Sequence, residues 1–177
     1  MRSLLIIVFL FSFPAGSFAQ SMESLQKTAL AKLEWLTGTW QGTAITQMGP
    51  GRSDTISMHE VLCYNLDSTI ITVEGKGYHV VNGKALPDIY HHAFAVLSYD
   101  NSGHYQWKAW RIPGGIYTEY SPEIGEKNFN WSMKTPRGTM RYHIELTDNR
   151  QWHETGEFSP DGTNWYPFFE MMLSQKE

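Results

Sequence analysis

Two acidic side chains near the C-terminus are the residues of this sequence best suited to chemistry. Glu154 follows Trp152 in an alternating run, and Glu170 stands among aromatic residues further on. A hairpin with a three-residue loop at residues 160–162 would place both on one aromatic face with Phe168, their Cα atoms roughly 7–8 Å apart. Apolar surroundings raise the pKa of a carboxyl group, so such a pair could serve as acid and base. Glu154 and Glu170 are therefore the candidate catalytic residues.

The same pair has two plainer interpretations. The face could point outward, with both glutamates in water. A two-residue loop would instead set Glu154 against Phe169 and turn Glu170 to the opposite face, because a shift of one residue reverses every side chain of a strand.

Charged residues also occur within strand-like runs earlier in the chain. Glu60 falls on the same strand face as Met58 and Leu62, where a carboxylate needs a partner. Arg111 and Arg141 are possible partners, and an inward arginine could also clamp an anionic ligand. We favour the alternative that each arginine lies over an aromatic ring on the outer face.

The histidines and the single cysteine do not have the spacing of a metal site. His91 and His92 are adjacent in a strand and point to opposite faces, and His59 is about 13 Å from Cys63 along another strand. We therefore predict no metal. Cys63 is the only cysteine, which excludes an intrachain disulfide, and we expect it to be a small buried residue.

Composition indicates a globular protein rich in rings. Of the 177 residues 41% are hydrophobic and 14% aromatic, and the formal net charge is −4. An acidic chain without a run of lysine and arginine argues against a nucleic-acid partner and against a basic membrane-surface helix. We see no nucleophile elbow or phosphate-binding loop.

The first residues have the pattern of a secretory signal peptide. Arg2 precedes an apolar run, Leu4–Phe13, and small residues at Ser17 and Ala19 suit a signal peptidase. We predict cleavage after Ala19, a mature domain over residues 20–177, and a periplasmic or secreted protein. The run is too short for a membrane anchor.

One helix and about ten strands are predicted after this leader. Leu25, Ala29, Leu33 and Leu36 share one helical face, which predicts a helix over about residues 22–36. The strand-like runs are 39–48, 54–64, 68–75, 89–100, 104–112, 115–121, 127–135, 139–147, 151–159 and 163–174. The segment Lys76–Asp88 is left open, with a turn at Asn82-Gly83 and a break at Pro87.

Short connections between these runs predict antiparallel neighbours. With no second helical segment, we expect an all-β, up-and-down, antiparallel closed barrel of about ten strands, one end covered by the N-terminal helix. A barrel of this size has room for a small ligand.

Two stretches resemble a known family. The opening motif Leu33–Gly42 reads LEWLTGTWQG, and the closing stretch Trp152–Trp165 reads WHETGEFSPDGTNW. Both resemble lipocalin-like exported barrels of the calycin superfamily, and the first is similar to nitrobindin-type barrels. The resemblance implies a barrel that binds a small molecule. Nitrobindin-type haem proteins carry a histidine in the C-terminal strand, but Trp165–Leu173 has none, so we predict no haem and no other cofactor.

The leading hypothesis is an exported barrel that binds a small, apolar or amphipathic molecule in its lumen, rather than an enzyme. The predicted ligand-binding residues are Trp40, Glu60, His92, Trp107, Arg111, Trp152, Glu154, Phe168 and Glu170. A first alternative is an isomerase or hydrolase that uses a lumenal carboxylate pair. A second is a protein-interaction module without a cavity. The identity of the ligand and the oligomeric state stay open.

Overall fold

The computed structural model describes the backbone of residues 15–176 and the side chains of residues 21–176. Most of the predicted signal peptide lies outside these residues, so its cleavage stays a prediction. No helix among the residues described has the length and hydropathy needed to cross a lipid bilayer.

The N-terminal helix is displaced from its predicted position. Helix α1 spans Ala15–Ala31, and a short 3-10 helix, Glu34–Leu36, follows it. The chain tightens between the two, where the N–H of Leu33 donates to the carbonyl of Leu30 over 2.9 Å. At the end of α1 Ala29 and Leu30 are buried, whereas Leu25 is 53% exposed. The predicted face was therefore wrong at Leu25.

Eleven antiparallel strands form one sheet. They are β1 Gly38–Gly49, β2 Arg52–Asn65, β3 Ile70–Val81, β4 Lys84–Tyr99, β5 Tyr105–Ile112, β6 Ile116–Tyr120, β7 Glu123–Ile124, β8 Asn128–Thr135, β9 Gly138–Leu146, β10 Gln151–Ser159 and β11 Tyr166–Lys176. Their order is β6-β5-β4-β3-β2-β1-β11-β10-β9-β8-β7, so the first and last strands pair with each other.

The sheet curls into a half-barrel, which corrects the predicted closed ten-stranded barrel. Strands β6 and β7 are the two edges of the sheet. Ser121 and Pro122 connect them, β7 has only two residues, and proline has no N–H to continue a ladder. Side chains bridge the remaining seam: the rings of Tyr120 and Trp131 are 4.8 Å apart, and the Tyr120 hydroxyl donates to Met133 Sδ over 3.6 Å.

The segment Lys76–Asp88, to which the sequence assigned no strand, contains the hairpin between β3 and β4. Asn82 and Gly83 both have positive φ, 50° and 75°, as expected for an Asn-Gly hairpin turn. Pairing passes from Tyr78–Ile89 to Val80–Ala85 with a shift of register, and Pro87 lies in the unpaired stretch.

The helix covers one end of the half-barrel. The hydroxyl of Tyr105 donates to the carbonyl of Ala29 over 2.8 Å, and that of Tyr64 donates to Leu30 over 3.1 Å. Trp40 is buried there, with its indole N–H bonded to the carbonyl of Leu36 over 2.8 Å and its ring 6.0 Å from that of Trp152. The Gly-x-Trp motif therefore forms the closed end of the interior.

Gly42 of this motif permits the close approach of β1 and β11. A Cβ atom at Gly42 would lie 2.0 Å from the carbonyl oxygen of Met172 and 2.9 Å from the Cα of Leu173. Both contacts are with backbone, so the strands would have to separate. We expect Gly42→Ala to lower the free energy of unfolding by about 2–3 kcal/mol or more, measured by urea denaturation. Thr43→Ala, at the exposed neighbouring position, is the control, and equal effects of the two substitutions would contradict this reading.

Candidate functional site: a buried carboxyl pair

Glu60 lies on the interior face of the sheet. Along β2, Ile56, Met58, Glu60 and Leu62 are buried in alternation, and Glu60 is 8% exposed. Its carboxylate covers the neighbouring Gly75, where a Cβ atom would lie 2.5 Å from both carboxylate oxygens. Because any larger residue at Gly75 would meet the carboxylate, this glycine makes the space that Glu60 fills.

Glu154 occupies a similar position on β10, which is separated from β2 in the sheet by β1 and β11. It is 9% exposed on β10, between the buried Trp152 and Gly156, and pairs with Met171 of β11. Its charge raises the pKa of Glu60, so the two carboxyl groups share one region of the interior.

Neither carboxyl group has a partner within the described part of the chain. Among residues 22–176, no group forms an ion pair or a hydrogen bond of normal geometry with Glu60 or Glu154. The indole N–H of Trp152 is buried without a hydrogen bond of normal geometry, yet it lies near enough to favour the charged form of Glu154. Buried polar groups are normally hydrogen-bonded, so this cluster has hydrogen-bonding capacity that the described residues do not satisfy.

Burial dominates the electrostatics of the pair. It raises the pKa of Glu60 from 4.5 to about 8, and the negative charge of Glu154 adds to the effect. Burial also raises the pKa of Glu154 to about 8, opposed by the Trp152 indole. Both groups are therefore largely protonated at neutral pH, because the Trp152 indole offsets only part of the loss of water around Glu154 and no described group offsets it around Glu60.

An aromatic wall adjoins Glu154. The rings of Trp131 and Tyr142 stack at 4.1 Å with an interplanar angle of 7°. Phe168 and Phe169 each meet the Tyr142 ring edge-on, at 5.7 and 5.9 Å. Burial raises the pKa of Tyr142, followed by the charge of Glu154, while Arg111 opposes the rise. The wall thus offers flat apolar surface beside a buried acid.

Small residues separate Glu60 from Arg111, a cation that is exposed to solvent. Glu60 pairs with Gly75, Gly75 with Ala93, and Ala93 with Arg111, which gives one cross-strand row on the interior face. Three interstrand steps put the ends of this row roughly 14 Å apart. Arg111 is exposed and forms no ion pair with the described residues.

His91 also faces the interior, beside Gly77. Its Cβ is 3.1 Å from the point where a Cβ of Gly77 would lie. Burial lowers the pKa of His91, and the positive charges of Arg111 and His92 lower it further. A neutral imidazole therefore stands near the guanidinium at the open side.

The structure brings most of the predicted ligand-binding residues to the interior. Trp40, Trp152 and Glu154 lie together, Glu60 faces them, and Trp107 packs against the buried Phe129 at 5.2 Å. The Phe168 ring reaches Tyr142, and Arg111 belongs to the row described above. That any of them binds a ligand stays a prediction.

Glu170 does not join Glu154, so the proposed catalytic pair was wrong in register. The loop between β10 and β11 comprises residues 160–165, longer than either loop considered from sequence, and Glu170 pairs with Thr155. The Asp161 carboxylate holds this loop by accepting the N–H groups of Thr163 and Asn164, each over 2.8 Å. Glu170 consequently lies on the outer face.

His92 lies on the outer face as well. Its Nε2 is 2.9 Å from Glu74 Oε1 on β3. Arg141 is the outer-face arginine expected from the sequence: its Cζ is 3.9 Å from the centroid of the Trp165 ring, and its Nε donates to Glu157 over 2.7 Å. Cys63 is exposed rather than buried, because it takes the outward position next to Leu62.

Histidines and acids of the outer face form a separate polar network. His153 lies between Glu145 and Glu170, at 3.3 and 3.0 Å, and His143 is 3.5 Å from Glu145. Within the described residues no three such side chains are arranged to hold a metal ion. A groove of about 670 Å³ adjoins this network, lined in part by Arg141, His143 and Glu157, and neither buried glutamate lines it.

Sequence reasoning missed two residues of the interior. Tyr142 alternates with the buried Ile144 along β9, which could have placed it inside. His91 gives no such signal, because shifts in the pairing of β3 and β4 near this position decide its orientation.

Comparison with known proteins supports the fold. No protein-family model and no curated protein matches the chain. Its structure is similar to the crystal structure of Rv2717c from M. tuberculosis, with a TM-score of 0.60 and 15% identity over 84% of this chain and 98% of that one. It is also similar to the S-type phycobiliprotein lyase CPES from Guillardia theta, with a TM-score of 0.54 and 10% identity over 88% and 97% of the two chains.

These likenesses agree with the architecture described above. The chain has a curled, up-and-down antiparallel sheet with one helix, and both structures are similar to it in fold. Export and a relationship to nitrobindin stay predictions.

The carboxyl pair makes stability depend on pH. Because folding raises the pKa of Glu60 and Glu154 from 4.5 to about 8, the folded state holds their protons more tightly than the unfolded chain. Their contribution to the unfolding free energy is constant below about pH 4.5, falls as pH rises towards 8, and levels off above it. The slope approaches about 1.4 kcal/mol per pH unit for each group. The double substitution Glu60→Gln, Glu154→Gln should flatten this decline.

Urea denaturation followed by tryptophan fluorescence from pH 4.5 to 8.5 measures the effect. Glu126→Gln, in an exposed turn, should leave the wild-type profile unchanged. If the unfolding free energies of wild type and the double variant changed in parallel with pH, the raised pKa values of Glu60 and Glu154 would be contradicted.

Proposed function

We propose that this protein binds a small molecule inside the half-barrel, with Glu60 and Glu154 as its polar anchors. The observation that carries the proposal is the pair of buried carboxyl groups without a partner from the described chain. A buried polar group that lacks a hydrogen bond costs about 1–3 kcal/mol, and a ligand that supplies the bond removes this cost.

The surroundings suit a small ligand rather than a macromolecule. The interior combines flat aromatic surface with small residues such as Gly75, Ala93 and Ala109, and ligand sites typically pair apolar walls with a few placed polar groups. The similarity to a phycobiliprotein lyase is compatible with this proposal. The ligand would be apolar over much of its surface, as the aromatic wall suggests.

An exported location belongs to the same proposal. The leader pattern of residues 1–19 supports a periplasmic or secreted protein, where such a binding protein would carry or sequester its ligand.

Native mass spectrometry of protein purified from the organism that encodes it tests the binding function. We expect wild-type protein to retain an added mass. Ala109→Phe, which fills the interior between Trp107 and Arg111, should lose it. Lys108→Phe introduces the same ring at the next position, on the outer face, and should retain the mass.

Two results would contradict the proposal. One is the absence of any added mass in all three proteins. The other is an equal loss in Ala109→Phe and Lys108→Phe, which would locate the ligand elsewhere or indicate a general loss of structure.

An enzymatic role is the second candidate, and one observation favours it. Two carboxyl groups with pKa near 8 can each give or accept a proton at neutral pH. Glu60 and Glu154 would then replace the pair predicted from sequence. In this case the ligand would be altered during incubation, and Glu154→Gln would stop the change while binding persists.

A further inference from the structure

The buried carboxyl pair also indicates what kind of molecule the interior accepts, an inference that rests on the proposed ligand-binding function. Glu60 and Glu154 reach the interior from strands β2 and β10, and the positive charges of the described residues lie elsewhere. Arg111 stands at the far end of the cross-strand row, and it affects the ionisation of Tyr142 and His91 but of neither glutamate. The pair therefore has no counterion from the described residues.

A second, independent observation marks the cluster as a site. Trp152 is 4% exposed, and its indole N–H has no hydrogen-bond partner, although it lies beside the Glu154 carboxyl group. An indole N–H can only donate, and the carboxyl group of Glu154 next to it is a stronger acceptor when ionised than when neutral. Whatever keeps Glu154 ionised in the interior would thus satisfy both groups at once.

The aromatic wall beside Glu154 narrows the chemistry. Tyr142, which stacks on Trp131, lies close enough to Glu154 for the charge of that carboxylate to raise the pKa of its hydroxyl, and Phe168 extends this aromatic surface. Carboxylates and aromatic faces both attract a cation, whereas an anion would meet two buried acids. We propose that the interior takes an amphipathic amine in its protonated form, its N–H groups directed at Glu60 and Glu154 and its apolar body against the aromatic wall.

Binding of such a cation releases a proton. In the empty site at pH 7 the receiving glutamate holds its proton; when the ammonium group binds, this proton leaves to solvent and the carboxylate pairs with the N–H groups of the ligand. The proton and the ammonium group compete for one carboxylate. Affinity for the amine should therefore rise as pH rises to about 8, the pKa of both groups, and then level off.

Three matched fluorescent probes test the proposal: dansylcadaverine, which carries a primary ammonium group, its neutral N-acetyl derivative, and the anionic 6-(dansylamino)hexanoate. Fluorescence titration at pH 8 should show that wild-type protein binds the amine at least tenfold more tightly than the neutral probe and the anion most weakly. At pH 6 the preference for the amine should shrink.

The variants change both buried glutamates of the site. Glu60→Gln together with Glu154→Gln should bring the affinities for amine and neutral probe within about threefold of each other. Glu170→Gln, on the strand next to Glu154 but with a side chain 63% exposed on the outer face, should keep the wild-type preference. Circular dichroism verifies that each variant is folded.

A measurement on wild-type protein alone guards against a variant that fails to fold. Calorimetry in buffers of different ionisation enthalpy should detect the release of up to one proton per bound amine at pH 7 and none for the neutral probe. Equal affinity for amine and neutral probe, or amine binding without proton release, would overturn the preference for a cation while the ligand-binding function stands. No binding of any probe to wild-type protein would count against both.

Discussion

The loss of water around Glu60 and Glu154 is the interaction on which the interior of this protein depends. Each carboxyl group is more than nine-tenths buried, and no described residue compensates either with a cation. A pair of buried charges would be very costly, so the groups are held as neutral acids until something enters to pair with them. Their position is set by the sheet, because alternate residues of β2 and β10 must face inward together with their apolar neighbours.

The curl of the sheet turns the interior faces of these two strands towards the same region. β2 and β10 are separated in the sheet by β1 and β11, and Gly42 lets those two central strands approach closely. Gly75 then leaves the space that the Glu60 carboxylate occupies, and Gly156 lets the rings of Tyr142 and Phe168 come close to the backbone beside Glu154. Glycines thus serve two purposes here. One brings strands together, and the others make room for polar or aromatic groups on the interior face.

The sequence predicted the elements of the fold better than it predicted the partners of individual residues. Period-two alternation located ten of the strands, and Gly38-Thr39-Trp40 marked the closed end, because these signals are local. Closure failed as a prediction because it depends on whether β6 and β8 can pair, and Pro122 with the two-residue β7 prevents that. Glu154 was found as a site residue, but its partner was misassigned, because the six residues of the last hairpin loop set the register. Glu60 was noticed as a carboxylate on an apolar face, and only the curl of the sheet reveals that it shares a region with Glu154.

The charged and titratable groups are distributed unevenly along the interior. The positive charge of Arg111 lies at the exposed end of the cross-strand row, with the neutral, half-buried His91 near it, and the acids lie deeper. An approaching anion would be held at Arg111, in contact with water, and would gain nothing from going further. A cation would meet little attraction at the opening and strong attraction only where it displaces a proton from Glu60 or Glu154. Selectivity for a cation would then arise deep in the interior rather than at its entrance. The low polarity of the interior keeps Glu60 and Glu154 neutral when no cation is bound. Once one of them ionises, the same low polarity strengthens its attraction for a cation.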